Sequence, residues 1–261
     1  MRHARAYGLA GIAALAAVAA AFAQTTVTPL PEAEPVQTAP IEATAMADLA
    51  AAQPGDAQAG AGKAAACAAC HGVDGNPTDP QYPKIAGQSE RYIARQLALF
   101  KSGERNTPLA ALMQPFAMPL SAQDMRDIGA YYATQRPGAG VADDSEIARG
   151  PYAGMKFYQV GEKLYRAGDA GRGIPACMAC HGPDGRGNPG PPYPNVAGQY
   201  ADYSARMLQA YRDGLVLGSG DHANEVMAEV AARLTDEEIQ SLASYLEGLH
   251  ARVPGQPAGG G

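Results

Sequence analysis

Cys67-Ala68-Ala69-Cys70-His71 and Cys177-Met178-Ala179-Cys180-His181 decide how this 261-residue chain is read. Together they hold all four cysteines and two of the five histidines. Two thiols three residues apart on the first turn of a helix can each add to a haem vinyl group. The histidine that follows then lies under the ring, where it can bind the iron. The same C-x-x-C spacing also serves a dithiol redox pair or half of a zinc site. A zinc ribbon gathers its four cysteines in one small fold, but these pairs stand 110 positions apart. A thioredoxin-like dithiol needs neither a histidine nor a second copy. The pattern therefore predicts two covalently bound haem c groups, one on Cys67, Cys70 and His71 and one on Cys177, Cys180 and His181.

The motifs belong to a longer internal repeat. Beyond each of them, Tyr82-Pro83-Lys84-Ile85-Ala86-Gly87-Gln88 aligns with Tyr193-Pro194-Asn195-Val196-Ala197-Gly198-Gln199. Next come matching helices, in which Tyr92, Arg95, Leu97 and Phe100 align with Tyr203, Arg206, Leu208 and Tyr211. Gly103 and Gly214 stand where a helix C-terminal glycine belongs. Further on, Leu120-Ser121 and Leu234-Thr235 are each followed three residues after the hydroxyl by an acid, Asp124 or Glu238, which is the form of a capping box. Apolar residues then recur at helical spacing: Met125, Ile128, Tyr131 and Tyr132 against Ile239, Leu242, Tyr245 and Leu246. Each half reads as helix, haem motif, Gly/Pro-rich loop, helix, loop and terminal helix, without a strand pattern. The expected fold class is all-α.

The sixth ligand decides between carrier and catalyst. No histidine lies between His71 and His181, so the first half must turn to methionine: Met113, Met118 or Met125. Met113 precedes Leu120 by the same seven positions by which Met227 precedes Leu234. Met118 matches Ala232, and Met125, matched by Ile239, falls on the apolar side of a helix, where methionine usually packs. Met113 and Met227 are therefore the candidate iron ligands, with Met118 the competitor in the first half. His222 has no repeat equivalent and reads as solvated, and His250 suits a helix C-terminus. Thioether and imidazole together leave no exchangeable position for peroxide or oxygen, which argues for electron transfer rather than turnover. The expectation is that this is not an enzyme.

Residues 1–23 read as a secretory signal. Arg2, His3 and Arg5 precede a short alanine-rich apolar run, and Ala21-Phe22-Ala23 has the small-x-small form of a cleavage site. An uncleaved N-terminal anchor is the lesser alternative, because the run is short for a membrane span. The leader carries two of the 20 Lys and Arg and none of the 26 Asp and Glu, so the formal charge is −6 for the full chain and −8 after cleavage. Such a balance excludes nucleic-acid binding through a general basic field and asks for a complementary, basic or apolar, docking partner. Residues 24–54, rich in Pro, Ala, Thr and Glu, read as a disordered spacer. The expected divisions are a first domain at 55–136, a Gly/Pro/Asp-rich linker at 137–155, a second domain at 156–250 and a loose tail at 251–261.

The tandem C-x-x-C-H motifs, the Tyr-Pro-x-(Ile/Val)-Ala-Gly-Gln segments and the Met-x₆-Leu-(Ser/Thr) segments together resemble the cytochrome c4 family over roughly residues 55–250. The resemblance implies two tandem class I cytochrome c domains in a pseudo-twofold pair, and a periplasmic dihaem electron carrier. It also implies that Pro83 and Pro194 offer their carbonyls to the second nitrogen of His71 and His181. That agrees with the need of a ligating imidazole for an outer acceptor. Tyr82, Tyr193, Arg91 and Lys84 are candidates for propionate or interface contacts, with exposed loop positions the plainer expectation. The implied partners are redox proteins, a cytochrome bc-type complex as donor and a terminal oxidase as acceptor, with peripheral membrane association also compatible. No small-molecule substrate is implied. The alternatives are the electron-accepting haem subunit of a dehydrogenase, as in flavocytochrome c, and a dihaem peroxidase.

Overall fold

A computed structural model describes residues 44–250 apart from 108, 189, 191 and 192. The signal peptide, most of the spacer and the tail lie outside the described residues. Eleven α-helices appear among those described: α1 Thr44–Ala51, α2 Ala57–Lys63, α3 Ala68–His71, α4 Glu90–Lys101, α5 Ala110–Ala117, α6 Ala122–Ala133, α7 Phe157–Ala167, α8 Met178–His181, α9 Ala201–Arg212, α10 Val226–Ala231 and α11 Asp236–Gly248. The remaining order is turns, short 3₁₀ segments and isolated bridges. The all-α expectation and the repeat both hold, and no described helix is long and apolar enough to cross a membrane.

In each half the leading helix crosses the terminal one with almost no gap. A β-carbon at Gly60 of α2 would collide with the Asp127 carbonyl oxygen of α6. One at Gly161 of α7 would collide with the Ser241 carbonyl oxygen of α11. The helices therefore meet backbone to backbone, and a core closes on either side of each crossing. The first core is built around Ile93, Leu97, Phe100, Met125, Ile128 and Tyr132. The second is built around Val160, Leu164, Tyr165, Ile239, Leu242 and Tyr245.

Both terminal helices begin with the capping box expected of them. Ser121 Oγ accepts from Asp124 N while Asp124 Oδ2 accepts from Ser121 N, and Thr235 and Glu238 repeat the exchange. The two acids then differ in company. Glu238 is buried, and the Arg172 guanidinium and the Tyr152 hydroxyl close over it. Asp124 is partly exposed and pairs with Lys63 at 2.7 Å. The Lys63 and Ser121 hydrogen bonds hold its carboxyl at about 2, against an ordinary 3.8. A depressed folded pKa contributes stability above pH ~4 and loses it as pH falls toward ~2. Asp124→Asn is expected to cost under about 1 kcal/mol at neutral pH, because solvent screens an exposed pair. It is also expected to flatten the acid-unfolding curve between those two limits, as urea titrations at stepped pH would record.

Three expectations need correction. The spacer does not run to residue 54, because α1 lies within it. Leu49 is buried in the first core and Met46 packs against that core. Burying Leu49 contributes roughly 2 kcal/mol, enough to order one short helix against a surface already formed. The stretch 137–155 is likewise not a free linker. Gly140 N donates to Glu247 O, Asp143 N to Ser244 Oγ and Ile147 N to Met155 O, and Ile147 is a core residue of the second half. At Gly140 it passes so close over α11 that a β-carbon would meet the Glu247 side chain. Finally, the loops expected to carry Met113 and Met227 contain short helices, α5 and α10. Pro115 hides the first by lacking the N–H that the Ala111 carbonyl would accept, and six residues are too few for the second to show a period.

Candidate haem sites

Each C-x-x-C-H motif is a single helical turn opened by its first cysteine. His71 N donates to Cys67 O and His181 N to Cys177 O, each at 3.0 Å. Gly72 and Gly182, at φ 75° and 78°, end the turns in a conformation that glycine adopts without strain. The result aims both thiols and the imidazole to one side of a short helix. All four cysteines are unpaired and half-buried. Burial raises the pKa of both leading thiols, that of Cys177 to about 11.

Both histidines are buried. His71 Nδ1 lies 2.9 Å from Pro83 O, and His181 Nδ1 lies 3.0 Å from Pro194 O. A carbonyl can only accept, so Nδ1 carries the proton and Nε2 keeps its lone pair. Burial lowers both imidazole pKa values, and the proline carbonyls oppose it in part. A neutral, tautomerically fixed imidazole is the form that binds iron. Tyr82 and Tyr193 stand beside the rings, with centroids 6.3 and 6.4 Å away.

Met113, on α5, packs on the first core together with Cys67 and Ile85. Met118, 49% exposed, stays outside it, and Met125 is fully enclosed. Met227 is half-buried on α10. His222 sits exposed on a 3₁₀ turn and receives Arg95 Nη2 on its carbonyl oxygen. His250 is exposed too.

The donor set fits haem. Among the described residues, no three His, Cys, Asp or Glu side chains converge as a metal-binding group. Arg105 adds an independent sign. Its guanidinium is buried over the Phe100 ring and bonds Gln96 Oε1 and Tyr203 OH, and among the described residues Nε has no partner and no carboxylate pairs with it. A buried cation with no carboxylate is costly, and a group bringing propionates would supply the missing anion.

Sequence reading missed the seam between the halves. Lys84, for which an exposed loop position was the plainer expectation and an interface contact the alternative, is buried there. Its Nζ donates to Gly198 O at 2.7 Å and Gly138 O at 2.9 Å, and it lies over the Tyr200 ring. Gln88 and Gln199 each exchange two hydrogen bonds with the main chain of the other half. Arg91 is exposed and reaches Gly190 O. Both glutamines close the repeated Tyr-Pro segment, and that repetition was the only available signal.

The cytochrome c family matches residues 57–135 and 158–250, one copy per half. A cytochrome c4 of Azotobacter vinelandii is 40% identical over 202 residues, covering 75% of this chain and 90% of that protein. The crystal structure of reduced recombinant cytochrome c4 from Pseudomonas stutzeri superposes with a TM-score of 0.65 at 42% identity, over 75% of this chain and all of that one. A thiosulfate dehydrogenase electron acceptor of Thiomonas intermedia is 38% identical, over 70% of this chain and 78% of that protein.

Proposed function

This chain belongs to the cytochrome c4 family, and on that premise we propose that it shuttles electrons in the periplasm between a cytochrome bc-type complex and a terminal oxidase. Its two covalently attached haems supply one-electron iron couples. His71 and His181 are proposed as the proximal ligands, their protons held on Nδ1 by Pro83 and Pro194. Met113 and Met227 are proposed as the opposite ligands, each delivered by a short helix between the middle and terminal helices of its half. Imidazole and thioether both bind ferric and ferrous iron, so the protein side need not rearrange when an electron arrives.

The matched construction of the two sites supports this reading best. A peroxidase needs one site open and one closed, whereas here the same parts recur in the same order. Hydrogen peroxide with a reduced donor should give no sustained turnover, and sustained turnover would overturn the carrier reading.

The resemblance to a thiosulfate dehydrogenase electron acceptor favours one second reading, an electron-accepting subunit that stays with its dehydrogenase. Purification from gently solubilised membranes separates the two. The shuttle should emerge without a stoichiometric companion, and a catalytic subunit in constant ratio would establish the second reading instead.

A further inference from the structure

The peptide unit joining Pro83 to Lys84 faces two ways. Its carbonyl accepts from His71 Nδ1 at 2.9 Å, and its N–H donates to Gln199 Oε1 of the other half at 3.0 Å. The peptide joining Pro194 to Asn195 does the same. It accepts from His181 Nδ1 at 3.0 Å and donates to Gln88 Oε1 at 2.9 Å. Return bonds run from Gln199 Nε2 to Lys84 O at 2.9 Å and from Gln88 Nε2 to Asn195 O at 2.6 Å. They also settle which end of each amide is oxygen, since the reversed amide would set donor against donor. All four residues are buried.

Hydrogen bonds in series polarise one another. A peptide whose N–H is engaged presents a stronger carbonyl acceptor. A stronger acceptor behind the imidazole makes it a more basic iron ligand. A more basic ligand favours the ferric state.

We propose that each of these glutamines is a positioning residue for the haem of the opposite half: Gln199 sets the reduction potential of the haem on His71, and Gln88 that of the haem on His181. The two centres are thereby tuned crosswise through the seam. The proposal rests on the reading of both histidines as proximal ligands.

Gln199→Leu and Gln88→Leu, made singly in the holoprotein, test it. Potentials are followed by redox titration, with the two haems told apart by their haem-methyl NMR resonances in the oxidised state. Gln199→Leu should raise the potential of the first haem more than that of the second, and Gln88→Leu should do the reverse. In the reduced protein, Gln199→Leu should shift the His71 Nδ1–H resonance upfield and leave that of His181 in place. Movement of each mutant's own-half haem, equal movement of both haems, or no movement would overturn the proposal. A His71 Nδ1–H signal without a haem ring-current shift would instead overturn the ligand reading beneath it.

Discussion

Met113→Ala is expected to remove about half of the weak far-red methionine–iron charge-transfer absorption of the oxidised protein, and Met227→Ala the other half. The potential of the affected haem should fall at the same time, because the soft thioether favours ferrous iron and water or hydroxide does not. Met113 is chosen over its neighbour on two independent grounds. The repeat pairs it with Met227, and the fold packs it against the first core while Met118 stands half out in solvent. Optical titration of the two single variants and of Met118→Ala decides the matter. If Met118→Ala takes the absorption and Met113→Ala does not, both the repeat alignment and the packing argument fail. If neither does, the first haem is not sulfur-ligated and the carrier reading loses its chemical basis.

Gly161→Ala should destabilise the second half by about 3 kcal/mol or more, at or above the upper end of ordinary overpacking costs. The reason is local. The new β-carbon would overlap the Ser241 carbonyl oxygen and come within 2.7 Å of Tyr245 Cβ. Both obstacles are the fixed frame of α11 rather than a flexible side-chain tip. The helices would have to separate along a seam that buries Val160, Leu164, Ile239 and Leu242. Gly60→Ala should act in the same way on the first half through the Asp127 carbonyl. Gly62 supplies the control, since it lies on the same helix and nothing stands within 4 Å of its missing β-carbon. Gly62→Ala should be neutral or stabilise by up to roughly 1 kcal/mol, through helix propensity alone. Guanidinium titrations of the three variants measure this, and equal losses at Gly60 and Gly62 would refute the crossing argument.

Features that depend on near neighbours in the chain could be read from the sequence. The C-x-x-C-H turns, the caps at Ser121 and Thr235, and the glycines that end α4 and α9 all came through, with Gly103 and Gly214 at φ 74° and 93°. The repeat pairs Met113 with Met227, and each lies on a short helix ahead of its capped terminal helix. What escaped the sequence lies between distant segments. Gln88 and Gln199 were visible as repeated letters, but their partners are more than 100 residues away and nothing local says which half a side chain faces. Lys84 was a candidate for an interface contact, with an exposed loop position the plainer expectation, and its ammonium finds main-chain oxygens in the seam. Gly60 and Gly161 looked like ordinary small residues, since a helix crossing has no signature on either helix alone. The α1 helix was hidden by the Pro- and Ala-rich composition around it.

Lys84 has a further consequence. Duplication yields twin halves, and twins have no front or back. At the position where the second half has the carboxamide of Asn195, the first encloses an ammonium group, and that mismatch lies in the seam between the halves. The peptide behind His71 therefore belongs to a buried cationic residue, and the peptide behind His181 to a neutral amide, so the two halves are not interchangeable where they meet.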